Sequence, residues 1–420
     1  PIDPAHPKHA MTAHFSCLLV LFAVGASPDS EENWPRFLGP NASASASGSK
    51  IPVKWTPEDY RWRVELPGIG YSSPVVWGDR VLVTSAVEET GTLTIQCLST
   101  ADGQTLWRQQ FAGKTYRKHA FNSYASSTPA LDAEHAYVAW ATPEEYVVVA
   151  IEQTSGKEVW RASLGPFLSQ HGFGTSPVLF EDLVILANEQ DGPSSIIALD
   201  RKTGKIRWQT ERRTEKAAFS TPFVYRPEEG PPQLLLTSWA HGFSSLDPRT
   251  GKANWELPVF KHRVVGSPCL AAGLFVATCG EGGVGKQALA IRPGNPATGQ
   301  KPELAYEISG SLPYVPTPLS HGNLLFLWYD RGIVTCLDAP SGKLDRRERI
   351  GGDSFGSPVR VDNRLYCISR QGEVVVLAAA DRFELLGRVD LGEPSHSTPA
   401  VAGGVMYLRT ASHLMALGSK

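Results

Sequence analysis

The side chains able to carry chemistry in this chain are histidines and carboxylates spread over long intervals, not gathered into one motif. His119, His171, His241 and His396 have the imidazole chemistry of metal ligands or proton carriers, but no two stand at helical or hairpin ligand spacing. The acids Glu189, Asp191, Glu281 and Asp330 likewise have no spacing that fixes a cation, so no metal site is expected. No serine sits in a Gly-x-Ser-x-Gly elbow; Ser267 and Ser357 each precede a proline in a recurring strand start. The glycines from Gly280 to Gly285 depart from the spacing of a phosphate loop and join strand to strand, which reads as a long turn. No catalytic residue is assigned on this basis.

The elements that must position these residues are unusually plain. A small hydroxyl residue followed by proline, an apolar run, a turn and a second apolar run begins at Ser73, Thr128, Ser176, Thr221, Ser267, Thr317, Ser357 and Thr398. A strand-rich period of 40 to 55 residues is the mark of propeller blades. In the third copy four strands can be drawn, through Val178, Ile185, Ile197 and Trp208, with Lys202-Thr203-Gly204-Lys205 as a turn whose glycine takes positive φ. Proline is tolerated at the start of a strand, and the tryptophan of the outer strand is a plate suited to packing between blades.

The last copy ends one strand short, whereas Tyr60-Arg61-Trp62-Arg63-Val64-Glu65 is an outer strand without a blade. Joining the two seals the ring. The expected fold is therefore all-β, an eight-bladed β-propeller with the N-terminal strand closing the last blade, over residues 54–420. Residues 28–53 read as a flexible lead-in, because the Ser/Ala/Gly stretch 42–49 lacks apolar spacing. Blades five to eight lack the outer-strand tryptophan, with Tyr306, Arg347 and Leu386 near that place in five to seven, which predicts looser docking there.

Ala198-Leu199-Asp200-Arg201-Lys202-Thr203-Gly204-Lys205-Ile206-Arg207-Trp208 resembles the tryptophan-docking repeat of quinoprotein-type propellers. From Trp34 to Leu417 the chain resembles the exported bacterial PQQ-like (pyrroloquinoline-quinone-like) repeat proteins, including the opening Trp34-Pro35-Arg36-Phe37-Leu38-Gly39-Pro40-Asn41. That resemblance implies either a binding protein that uses its loops, as the β-barrel-assembly proteins of the group do, or a dehydrogenase holding PQQ with Ca²⁺. The alcohol-oxidising members use a vicinal disulfide that this chain lacks.

In a propeller, the loops entering each inner strand and those joining the second and third strands share the face at the channel mouth. On that face fall His119, Asn122, Tyr124, His171, Glu189, Asp191 and His241, then Glu281, Tyr314, Asp330, Arg331, Arg370 and His396. These thirteen are the candidate ligand or partner residues.

Lys+Arg 40 against Asp+Glu 42, without a basic run, gives no electrostatic footprint for nucleic acid. Cys97, Cys269, Cys279, Cys336 and Cys367 each fall inside a predicted strand, as small buried apolar residues would. The apolar run Phe15 to Val24, followed by Gly25-Ala26-Ser27, has the form of a signal peptide, so residues 1–27 are expected to be removed on export to the periplasm or cell envelope. Cys17 precedes most of that run, unlike a lipoprotein cleavage box. The reading is an exported, monomeric, non-catalytic binding or scaffold protein that meets a protein partner or small ligand at the channel mouth, with no cofactor. A quinoprotein-like oxidoreductase with PQQ and Ca²⁺ over the channel is the alternative, and a polysaccharide-binding module using rim aromatics such as Tyr124 and Tyr314 is a second.

Overall fold

Strands of two or three residues, each just after a hydroxyl-proline pair, form the inner wall of eight sheets, each of four antiparallel strands, one of which gains a fifth strand. The computed structural model describes residue 1, residues 32–213 and residues 216–418. Apart from Pro1, the expected signal segment 1–27 with Cys17 lies outside them. Blade one runs Val75–Trp77, Arg80–Ala86, Leu93–Ser99 and Thr105–Phe111 from the channel outward. The following blades repeat that order, so the architecture is the expected eight-bladed all-β propeller. Blade eight takes Ala400–Ala402, Val405–Arg409 and His413–Leu417 from the C-terminus and Tyr60–Glu65 from the N-terminus. Among the described residues no helix is long and apolar enough to cross a membrane.

The hydroxyl of the repeat motif bonds one blade to the next. The amide of Ser73 donates to Thr128 Oγ1 at 2.9 Å, that of Thr128 to Ser176 Oγ at 3.0 Å, and that of Thr221 to Ser267 Oγ at 3.0 Å. Ser267, Thr317 and Ser357 donate in the same rotational sense to Thr317, Ser357 and Thr398 at 3.1, 3.0 and 2.9 Å. Each inner-strand amide, which has no partner in its own blade's ladder at that point, is satisfied across the seam. A hydroxyl is required at the position, and either serine or threonine supplies it.

The outer-strand tryptophans dock as expected. Trp107 Nε1 donates to the Gln153 carbonyl at 2.7 Å, Trp160 to Arg201 at 2.8 Å and Trp208 to Pro248 at 3.1 Å, each in the following blade. The turn glycine of that blade lies flat on the indole; Cβ atoms at Gly156, Gly204 and Gly251, where φ is near +70°, would stand about 2.5 Å from ring carbons. Looser docking in blades five to eight is corrected at two places. Trp62 is the tryptophan of blade eight, because that blade borrows its outer strand from the N-terminus. Tyr306 of blade five lies under Gly342 and its hydroxyl donates to the Ala339 carbonyl, reproducing the tryptophan contact with a smaller ring.

The segment read as a flexible lead-in has fixed partners from Asn33 onward. Trp34 pairs with Val76 of blade one, the Pro35 carbonyl accepts the Leu131 amide of blade two, and Pro40–Ala42 packs against Phe223–Tyr225 of blade four. Ser45–Ala46 then adds a parallel strand to Val359–Val361 of blade seven. This strap crosses the channel at the end where the first and second strands of each blade join, and its Phe37 lines the cavity there. The small residues let the backbone run close beneath the ring, with Leu38, Ala42 and Ala44 at positive φ and Trp34 buried as the anchor. The five cysteines are buried in strands, as expected, and desolvation pushes Cys97 up to about 12.

Candidate functional site

With the strap across its far end, the channel holds a cup of about 610 Å³ that reaches the mouth face. Its wall has two tiers set by strand alternation, since residues two apart face the same way. The lower tier is the ring of motif hydroxyls, and all eight line the cavity. The upper tier is the residue two places earlier in each repeat: Tyr71, Ser126, Gly174, Phe219, Val265, Val315, Phe355 and His396. Phe37 of the strap forms part of the floor.

Loops dress the mouth unevenly. At blades seven, eight and one the rings of Phe355, His396 and Tyr71 touch in turn, edge-on at 5.1 Å and tilted at 4.2 Å between centroids. Phe121, on the loop that enters blade two, reaches across to this group. Its ring meets Phe355 edge-on at 5.3 Å, its carbonyl accepts from His396 Nδ1 at 3.1 Å, and the Arg370 guanidinium lies 3.9 Å above it and 4.8 Å from Phe355. Phe121 remains 43% exposed, an unusual position for a large apolar ring. Burial pulls His396 down to about 4, so its imidazole is neutral at physiological pH.

On the other side stands a polar corner. His119 and His171 stack with centroids 5.2 Å apart, and Asn122 Nδ2 fixes the loop by donating to the carbonyls of His171 and Phe173 at 2.7 and 3.1 Å. Arg263 Nη1 lies 3.2 Å from the His171 ring nitrogens, and its Nε donates to the Ala217 carbonyl at 3.1 Å. Burial, then the Arg263 and His119 charges, pull His171 down to about 4; it meets Arg263 as a neutral ring. Arg263 Nη2 is buried without a well-formed hydrogen bond; it meets Asp191 Oδ1 as an ion pair at 4.0 Å, and the Tyr314 hydroxyl lies beside the guanidinium.

The acids on the wall are already engaged. Asp330, 3% exposed, accepts the amides of Tyr314 and Val315 at 2.6 and 2.9 Å, while burial pushes it up to about 6. Glu281 meets Lys216 at 3.3 Å and His262 at 3.4 Å, and Asp353 meets Arg370 at 3.4 Å. Among the described residues no three His, Cys, Asp or Glu side chains gather as a metal site would require.

Of the thirteen candidates, His119, Asn122, His171, Glu281, Tyr314, Asp330, Arg331, Arg370 and His396 line the cup. Four do not. Glu189 forms a buried pair with Arg212 at 3.0 Å, and Asp191 accepts the amides of Ala217 and Gln170, so both brace loops behind the wall. His241 is buried between Glu256, 2.7 Å from its Nδ1, and the Arg213 amide, which donates to Nε2 at 2.9 Å. Tyr124 lies in a separate cleft between blades one and two with Tyr116, Phe111 and Trp140. Among the wall residues left out of the candidates are Phe121, Phe355, Tyr71, Phe219 and Arg263. Three of these, Tyr71, Phe219 and Phe355, were readable as the position two before the motif hydroxyl.

The profile of the family described as outer membrane protein assembly factor BamB matches residues 91–348 and 330–418. Among solved structures, BamB from Moraxella catarrhalis superposes with TM-score 0.61 at 13% identity, over 85% of this chain and 98% of that one. Quinohemoprotein alcohol dehydrogenase ADHIIG from Pseudomonas putida HK5 gives 0.66 at 12% identity, over 93% and 81%; the quinohemoprotein alcohol dehydrogenase of Comamonas testosteroni gives 0.65 at 13%, over the same shares. These likenesses carry the fold. No curated protein sequence matches significantly.

Proposed function

The chain belongs to the family described as outer membrane protein assembly factor BamB, and from that premise we propose that it is an exported, non-catalytic binding protein of the cell envelope, holding a ligand or protein partner at the cup. The observation that supports this most is the mouth itself: a cup rimmed by the half-exposed Phe121 under Arg370, with each wall acid engaged by a cation or by backbone amides. Exposed aromatic and arginine side chains around a concavity are what binding surfaces use as anchors.

The alternative is a quinoprotein-like oxidoreductase. Its calcium ion requires several carboxylate or amide oxygens free to converge on one point. Asp330 spends both oxygens on amides, while Glu281 and Asp353 face cations, so the residues present do not fit a calcium-held quinone.

Two measurements test the reading. The mature chain is used to capture its ligand from envelope extract. Capture is expected to be lost in the Phe121→Ala/Arg370→Ala double variant and kept in Asp182→Ala on the opposite face; capture indifferent to the cup sinks the proposal. Thermal unfolding with PQQ, with and without Ca²⁺, is expected to show no shift, and a calcium-dependent rise of several degrees would reinstate the enzyme.

A further inference from the structure

We propose that the ligand of the cup is an acidic sugar, a uronate or a short chain of them, with its carboxylate at Arg263 and its hydroxyl oxygens at the ring of serines and threonines. This rests on the reading of the cup as a ligand site and names the chemistry that site selects.

The ring of hydroxyls is the first reason. Six of the eight use their oxygen to accept a neighbouring blade's amide. None of the eight donates its own proton to another described group, so the waist of the cup presents O–H donors to whatever fills it. A ligand complementary to that surface carries many acceptor oxygens distributed around its body. A flat apolar acid would leave the donors unanswered.

Arg263 is the second. It is 7% exposed and lines the cup, and its Nη2 makes no well-formed hydrogen bond, only a 4.0 Å ion pair with Asp191 and the Tyr314 hydroxyl beside it. The nearest carboxylate oxygen, Asp191 Oδ1 at 4.0 Å, already takes the Ala217 amide, and Asp191 Oδ2 takes that of Gln170. His171 beside it is neutral and brings no charge. A buried guanidinium with one distant ion pair and donor capacity left over favours a close, charge-assisted contact with an incoming carboxylate over a neutral oxygen. Across the cup, Tyr71, Phe355 and Phe121 give aromatic faces for the apolar sides of sugar rings.

Calorimetric titration of the full mature chain with trigalacturonate and with neutral galactotriose tests the assignment. The acidic trisaccharide is expected to bind about tenfold or more tightly than the neutral one, the range of a charge-assisted hydrogen bond. Arg263→Gln is expected to erase that difference, and Arg263→Lys to restore part of it. Because Arg263 is buried, Phe121→Ala on the exposed rim is the second variant, expected to weaken both sugars by a similar factor. Equal affinity for the two sugars, or an acid preference unchanged in Arg263→Gln, overturns the assignment. If neither sugar binds while ligand capture still depends on Phe121 and Arg370, the acidic-sugar assignment falls and the cup reading stands; if capture is also indifferent to the cup, both fall.

Discussion

The indole nitrogen of Trp62 donates to the carbonyl of Thr100 at 2.9 Å, joining a strand from the start of the propeller to the turn of blade one across 38 residues. Trp62 sits in the strand that completes blade eight, so this bond also crosses the seam where the ring is closed. The closure is thus held by ladder bonds to His413–Leu417 on one side and by a docked tryptophan on the other.

Replacing Trp62 by alanine is expected to cost about 3–5 kcal/mol, because a buried indole is removed at the one seam with chain ends on it. Trp62→Phe keeps the plate and loses the donor, for a cost nearer 1 kcal/mol. Denaturant unfolding measures both. Equal costs would show that packing contributes nothing beyond the hydrogen bond.

Gly103 lies on that same indole at φ 72°, and a Cβ there would stand 2.8 Å from Trp62 ring carbons. Gly103→Ala is therefore expected to destabilise by about 1–3 kcal/mol, from left-handed strain and overpacking together. In the double variant with Trp62→Ala the overpacking disappears, so its cost is less than the sum of the two single costs.

Thr317 accepts the Ser267 amide and offers its own amide to Ser357. Thr317→Val keeps the shape and strands a buried N–H, at an expected cost of about 1–3 kcal/mol, whereas Thr317→Ser should lose much less. Unfolding midpoints of the two variants decide whether the hydroxyl or the methyl matters.

Acid sensitivity follows from the mouth histidines. His171 and His396 are both held down to about 4, against about 6.5 in the unfolded chain. The unfolded state binds their protons first, so their contribution to stability is present above pH 6.5 and is lost as pH falls towards 4. Asp330, pushed up to about 6, acts in the opposite sense: its contribution is present below its unfolded value and lost as pH rises through 6. His396→Gln should flatten the loss of stability between pH 6.5 and 4, and Asp330→Asn should steepen it. Stability curves against pH for the three proteins check both signs.

The fold was legible because the motif repeats eight times and each part has a local cause: proline where a strand begins, glycine where a turn needs positive φ, tryptophan where blades meet. The closing strand was legible as well, since a strand without a blade and a blade without a strand have only each other. The strap was not. Its small residues carry no apolar period, and its order comes from backbone pairing with three blades and packing on a fourth, brought together only by the completed ring. At the site, sorting loops by face found nine wall residues but could not tell a lining acid from a bracing one. Glu189 and Asp191 turn inward because Arg212 and two loop amides claim them, partners remote in sequence. Phe121 was missed because its importance lies in reaching across the mouth to Phe355, a meeting that nothing local to either residue announces.

The strap beneath the ring narrows the far end of the cup, so the mouth is its wide entrance. Water displaced by an arriving ligand leaves chiefly past that ligand, and the ligand departs by the way it came, under Phe121. Arrival is slowed by this counterflow and departure is slowed in equal or greater measure. For the ligand proposed above, such a shape favours long occupancy over rapid turnover.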